Sequence, residues 1–244
     1  VHFSLNEVRN NTMDIGKAKI ITFDVLENSD LNAVVKYILS LEKKVLWVGS
    51  AGMANALVKA MRVQYPVLAL VGSISETSRM QVRIAEEAGA KVVEMNIANL
   101  IRGGDIRKTA TEVITLLHYG LDVIVVTAKT HDDYMEAIEV GKKNGMTRTE
   151  VAKYTQARIG ELSAAILKEA KVCGCFLTGG DTAISVNNYN HAHGAKLVDE
   201  ILPIIALIQL DGGDYPGLPC IVKGGSIGDR EALKKSIAYF KEHM

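Results

Sequence analysis

The sequence predicts an α/β fold: a layered, largely parallel sheet flanked by helices, with strand-to-helix glycine turns at the ligand edge. Three observations predict it. Short apolar runs rich in Val, Ile and Leu alternate with longer helical runs along the 244 residues. Several of these runs end on Gly next to Ser, Thr or Asp. Apolar residues make up 48% of the chain, enough for a substantial core.

The elements follow in order. "AKIITFDVL" (18–26) reads as a strand, and "DLNAVVKYILSLEK" (30–43) as a helix with Asp30 as N-cap. "KVLWVGS" (44–50) reads as a buried strand with Trp47 in the core, and "GMANALVKAMR" (52–62) as a helix. "PVLALVGS" (66–73) is a strand, "ETSRMQVRIAEEAG" (76–89) a helix closed by Gly89, and "KVVEMN" (91–96) a strand. "DIRKTATEVITLLHYG" (105–120) is a helix and "DVIVVTA" (122–128) a strand. Residues 129–146 are polar and give no clear pattern. The longest helix spans 147–171, followed by the strand "VCGCFLT" (172–178), which puts Cys173 and Cys175 on one core-facing side. A helix-compatible pattern then begins after "TGGDT". "AKLVDEI" and "IIALIQL" read as neighbouring, antiparallel strands; "PCIVK" (219–223) is the last strand and 229–243 the closing helix. No linker rich in Pro, Gly or Ser interrupts the pattern. Residues 18–244 therefore read as one domain, preceded by a short segment, 1–17.

Composition excludes several function classes. The 28 basic and 28 acidic residues cancel, so there is no electrostatic footprint for nucleic acid or an anionic membrane. The longest apolar stretch is too short to span a bilayer. Three cysteines without a CxxC pair give no disulfide framework. These features, with no leader pattern at the start, lead to the expectation of a cytoplasmic protein with reduced thiols. "VGSAG" (48–52) approaches a nucleophile elbow, but no His or acid is placed to complete a triad. "HAH" (191–193) lacks a third metal ligand and reads as a solvated loop.

Four strand-to-helix turns carry small or hydroxyl residues: "GSAG" (49–52), "GSIS" (72–75), "TGGDT" (178–182) and "KGGSIG" (223–228). The segments 45–52 and 67–75 repeat one strand–Gly-Ser solution. In a parallel sheet such turns lie at the carboxyl ends of the strands, where open α/β sheets bind ligands. Glycine lets the backbone approach a ligand, and helix N-termini with Ser or Thr hydroxyls bind anionic oxygens. Their convergence suits a polyphosphate. Each turn alone is equally an ordinary capped turn, with Asp181 and Thr182 as N-cap residues and Lys223 as a solvated loop lysine. Neither a Walker P-loop nor a GxGxxG after the first strand is present.

The stretches "WVGSAGMANAL", "VLALVGSISETSRMQ", "LTGGDTA", "EILP" and "GLPCIVKGGSIGDREAL" occur in an order that resembles the four-carbon acid sugar kinases, and within them the nucleotide-binding C-terminal domain. The resemblance runs from about residue 18 onward. It implies ATP-dependent phosphorylation of tetronate-type sugar acids, with ATP and Mg²⁺ as cofactors. By matching position it implies that Ser73, Ser75, Gly179, Gly180, Asp181, Thr182, Lys223, Gly224, Gly225 and Gly228 form the nucleotide site, with Asp181 toward the metal. The acceptor base is expected in an N-terminal sugar-binding domain, whose paired-aspartate motif has no counterpart in residues 1–17; these are expected to be a remnant of that domain or a linker from it, with 18–244 as the nucleotide-binding domain. With Val1 first, the chain is expected to be the C-terminal half of a longer kinase, inactive alone. Self-association into a homo-oligomer is left open. Two positions depart from the family's pattern: Ser226 and Ile227 stand where it has Gly and Phe, and Ile204 follows Pro203 where it has Gly. A non-catalytic module that senses a nucleotide or phosphosugar needs the same turns and remains the alternative.

Overall fold

The computed structural model describes residues 1–61 and 64–244. The chain forms two compact units, residues 1–63 and 64–244.

The first unit holds β1 (His2–Phe3), α1 (Leu5–Arg9), β2 (Thr22–Phe23), α2 (Asn28–Ser40) and α3 (Ala51–Met61). β1 and β2 form a two-stranded parallel pair. Phe3, Val8, Met13, Ile15, Val34 and Ile38 make its core. This packing divides the chain differently from the sequence reading, which set one domain over 18–244. Residues 1–17 supply Phe3, Val8, Met13 and Ile15 to the same small core as α2, so they are part of a folded unit.

Two strand assignments are corrected here. Of 18–26 only Thr22 and Phe23 pair, and 44–50 form no strand. Leu46 and Val48 are 89% and 81% exposed, while Trp47 is half-buried against the small core. An apolar run becomes a strand only where another strand takes its backbone groups, and among the described residues none does so at 44–50. Asp30 is also not the N-cap of α2. It sits at the third helical position and accepts from the N–H groups of Leu26 and Glu27 at 3.0 and 2.9 Å and from the Arg9 guanidinium at 2.9 and 3.2 Å. Those bonds, Arg9 foremost, hold its carboxyl well below the usual range. Residue 62, the last of the expected 52–62 helix, lies outside the described residues.

The second unit carries β3 (Val67–Val71), α4 (Glu76–Glu87), β4 (Lys91–Glu94), α5 (Ile97–Ile101), α6 (Ile106–His118), β5 (Val123–Val126), α7 (His131–Lys143) and α8 (Arg148–Glu169). β6 (Gly174–Thr178), α9 (Gly180–Tyr189), β7 (Gly194–Leu202), β8 (Ile205–Asp211), β9 (Pro219–Lys223) and α10 (Ala232–His243) complete it. Its seven-stranded sheet has the order β4-β5-β3-β6-β9-β8-β7. The first five strands are parallel; β8 runs antiparallel to β9 and β7 antiparallel to β8.

Alternate residues feed two cores, as the strand period requires. Leu68, Leu70, Val125 and Leu177 pack in the core shared with α5–α9, and Val67, Ala69, Ile124 and Phe176 in the one shared with α4 and α10. Both faces are covered, which is why β3 and β5 are continuous apolar runs. Gly174 lets α10 close onto the sheet, because a Cβ there would run into the Phe240 ring. Cys175 and Cys220 lie side by side in register and fully buried; mutual contact and burial push the Cys175 thiol well up. Cys173 precedes the strand, half-buried rather than in the core.

The strand order places the site. From β3 the chain leaves through α4 toward the β4 edge. From β6 it leaves through α9 toward the β7 edge. Adjacent parallel strands whose connections depart in opposite directions leave a crevice outside their carboxyl ends. Here it opens beside Val71 and Thr178, which are register partners.

Candidate nucleotide site

Three of the four glycine turns follow adjacent strands, β3, β6 and β9, and so lie side by side. The fourth, "GSAG", belongs to the first unit and follows no strand of this sheet. At the crevice lies a cavity of about 510 Å³, within the range of small-molecule sites. One part is lined by Gly72, Ser73, Thr178, Gly179, Asp181, Thr182 and Gly225. Most of the rest is walled by α7 and α8 through Tyr134, Ala137, Ile138, Arg148, Val151, Ala152, Thr155, Gln156 and Ile159, with Ile74, Ile97 and Thr127 beside them. The cavity thus has a polar end of backbone and hydroxyl groups and a more apolar end with one aromatic ring.

The polar end is built for a close approach. Gly179 has φ +100°, a conformation that L side chains avoid, and is the N-cap of α9. It offers no side chain, so no side-chain oxygen caps α9. This corrects the capping alternative for Asp181 and Thr182: both lie inside the first turn. The first N–H groups of α9 are therefore open to an anion, with the helix dipole behind them. A Cβ on Gly72 would collide with the Thr182 hydroxyl, and one on Gly225 would stand 2.6 Å from Ser73 Oγ. These glycines keep the three turns in contact. Thr178 Oγ1 is buried with no hydrogen-bond partner among the described residues, a state that costs stability unless something else supplies the bond. The Asp181 carboxylate is exposed at the cavity and makes no ion pair among the described residues.

The expected residues do not all reach the cavity. Ser73, Gly179, Asp181, Thr182 and Gly225 line it; Ser75, Gly180, Lys223, Gly224 and Gly228 stand behind or beside it. Ser75 is the N-cap of α4, accepting from Ser78 N–H at 3.1 Å and donating to Gly225 O at 2.7 Å. Gly180 opens α9 with free space around it, and Gly228 takes φ +85° against Ala232 and Ile205. Lys223 is corrected most. It is no solvated loop lysine: it ends β9, is 2% exposed, and its ammonium donates to the carbonyls of Gly224 at 2.8 Å and Gly225 at 3.1 Å. Burial lowers its pKa to about 8. Ile227 packs half-buried on the α4–α10 core.

Ser78 and Gln81, buried on α4, hold the last turn and were not singled out from sequence. Ser78 Oγ donates to Gly225 O at 2.7 Å, and Gln81 Nε2 donates to Ile227 O at 3.1 Å and Asp229 O at 2.7 Å. Their spacing with Ser75, three residues each time, is the signal that could have found them: polar groups on a helix's inward face. Tyr134 and Arg148 were also missed; Arg148 Nε donates to the Tyr134 hydroxyl at 2.9 Å. His191 pairs with Asp214 at 2.9 Å, and no cluster of three metal-ligating residues occurs among the described residues.

Residues 68–233 match the family described as the nucleotide-binding C-terminal domain. A D-threonate kinase of Salmonella typhimurium is 29% identical over 231 residues, covering 91% of this chain and 55% of its own length. A D-erythronate kinase of Heliobacterium modesticaldum is 24% identical over 180 residues, 71% of this chain and 41% of that protein. The chain belongs to the four-carbon acid sugar kinase family and carries its nucleotide-binding C-terminal domain. It spans about half the length of the curated kinases it matches. A family match starting at Leu68 coincides with the second unit, which starts at Gln64.

Solved structures agree on the fold of this kinase-family chain. A Bordetella bronchiseptica protein of unknown function, crystallised with citrate as a domain-swapped dimer, superposes with a TM-score of 0.66 at 25% identity. The match covers 98% of this chain and 58% of that one. A Haemophilus influenzae protein, 15% identical, shares the fold at a TM-score of 0.60, over 98% of this chain and 60% of its own. No helix of the described residues is long and apolar enough to cross a membrane.

Proposed function

We propose that the crevice binds ATP with Mg²⁺ and that the chain serves as the ATP-binding part of a cytoplasmic kinase acting on four-carbon, tetronate-type sugar acids. The observation that carries the reading is the polar end of the cavity: an uncapped helix N-terminus, glycines packed against hydroxyls and an orphaned Thr178 hydroxyl. All of these suit phosphate oxygens. The N–H groups opening α9, Ser73 and the Gly225 turn would hold the phosphates. Asp181 would hold the metal, a hard carboxylate oxygen being what Mg²⁺ takes. The apolar wall from α7 and α8 would take the base.

ATP supplies the phosphoryl group when bound. The protein's part is to position it and to neutralise charge. The names of the relatives support the acceptor class, D-threonate and D-erythronate. Those kinases are longer than the matched stretch, and the reading assigns acceptor binding and its base to a part of the kinase outside this chain. Self-association belongs to the same reading, supported by the dimer of the Bordetella protein.

Titration calorimetry of this chain with Mg–ATP, ADP and NAD tests the binding step. Saturable ATP and ADP binding is expected; NAD binding without ATP binding would overturn it. Coupled ADP release with a panel of tetronates then separates a kinase from a sensing module. Slow turnover by this chain alone, restored by the rest of a full-length relative, is expected. Robust turnover by this chain alone would overturn the division of labour.

A further inference from the structure

The Gly225 carbonyl is the most heavily contacted acceptor at the crevice. Ser75 Oγ and Ser78 Oγ each donate to it at 2.7 Å, and Lys223 Nζ at 3.1 Å. Three donors on one carbonyl, two of them from buried side chains, fix the direction of the Gly225–Ser226 peptide. A trans peptide is planar with C=O and N–H opposed, so the Ser226 N–H must point away from α4. Among the described residues no acceptor takes the N–H of Gly225 or Ser226. Successive free N–H groups in a turn form an anion-binding concavity. Gln81 continues the hold one helical turn further, on the carbonyls of Ile227 and Asp229.

We infer that Lys223 is a positioning residue: its buried ammonium, with Ser75 and Ser78, clamps the Gly225 carbonyl so that the turn presents backbone N–H groups to a phosphate oxygen. The role rests on the nucleotide reading of the crevice. Lys223 then acts on the phosphate through the turn and not by contact. It does not line the cavity, and its ammonium is already engaged by two carbonyls. No carboxylate lies within ion-pairing distance of it among the described residues, and burial alone accounts for its lowered pKa. A lysine aimed at a phosphate would stand at the cavity wall instead. Ser226 is exposed, so its side chain need not close the space before the free N–H groups.

A double-mutant cycle on the folded chain tests the clamp. Lys223→Met and Ser78→Ala should each weaken ATP binding about tenfold or more while changing AMP less than twofold, because each loosens the same carbonyl. The double variant should bind ATP no worse than the weaker single variant, since the two changes share one target. Effects that multiply would mean that Lys223 reaches the phosphate independently, and would overturn the clamp. So would equal losses of ATP and AMP. A second readout does not depend on nucleotide. Amide NMR of the ligand-free protein should show the Gly225 and Ser226 resonances shifted in the same direction by both variants. If the wild type binds no ATP, the nucleotide reading fails, and the amide shifts still decide the clamp: unmoved resonances overturn it.

Discussion

Thr178→Val separates what the fold needs from what the ligand needs. The substitution keeps the β-branched shape and replaces one hydroxyl by a methyl. Thr178 is 1% exposed and its Oγ1 has no partner among the described residues, so the ligand-free protein bears the desolvation of that group without a compensating bond. Such a group costs about 1–3 kcal/mol. Removing it should stabilise the ligand-free protein by about that amount, a rise in Tm of roughly 2–8 °C for a domain of this size. Nucleotide binding should change in the opposite sense. If a phosphate oxygen or its hydration completes the Thr178 bond, the valine loses it and ATP affinity falls by about tenfold. The assays are thermal and urea unfolding without nucleotide, and calorimetry with Mg–ATP. A variant that is less stable and binds ATP unchanged would refute the reasoning, since it would show the hydroxyl bonded within the fold.

Three further outcomes follow from the same geometry. Asp181→Asn removes an exposed carboxylate that makes no ion pair, so stability should hold; ATP affinity should drop about tenfold with Mg²⁺ present and stay level or rise without it, as calorimetry with and without EDTA would show. Lys223 has its pKa lowered from 10.5 to about 8, so between those values the unfolded chain binds more protons and stability should rise with pH. Against Lys223→Met, urea unfolding at pH 7 and pH 10 should show a relative gain for the wild type on the order of 3 kcal/mol or less, and parallel curves would contradict the burial. Ile204 occupies φ +63° in the Pro203–Ile204 turn between β7 and β8, a second turn position that calls for Gly, and is 72% exposed. Ile204→Gly should therefore stabilise the protein by about 1 kcal/mol, and a loss of stability on thermal unfolding would contradict the strain.

The sheet of the second unit was legible because parallel strands covered on both faces must be continuous apolar runs, as β3, β5 and β6 are. The same signal misled at 44–50: apolar patterning says what can be buried, not whether a neighbouring strand exists. α7 was illegible for the opposite reason. Its inward residues are only Ala137, Val140 and Gly141, and its capping box closes with Asp133 in place of the more familiar Glu. The site divides in the same way. Glycine turns announce themselves at strand ends, and Ser73, Gly179, Asp181, Thr182 and Gly225 do meet at one cavity. The α7–α8 wall was hidden because Tyr134 and Arg148 come together only when two helices pack. Lys223 is not the solvated lysine that was one of its two readings: it ends a strand with its ammonium folded onto its own turn.

The most direct test of the central claim is a crystal structure of this chain with Mg²⁺ and a non-hydrolysable ATP analogue. The triphosphate should lie across the carboxyl ends of β3 and β6, against the first N–H groups of α9 and the Gly225 turn. The metal should sit within reach of Asp181, and the base against α7 and α8. A nucleotide bound elsewhere on the second unit, with the β3–β6 crevice empty, would contradict the account.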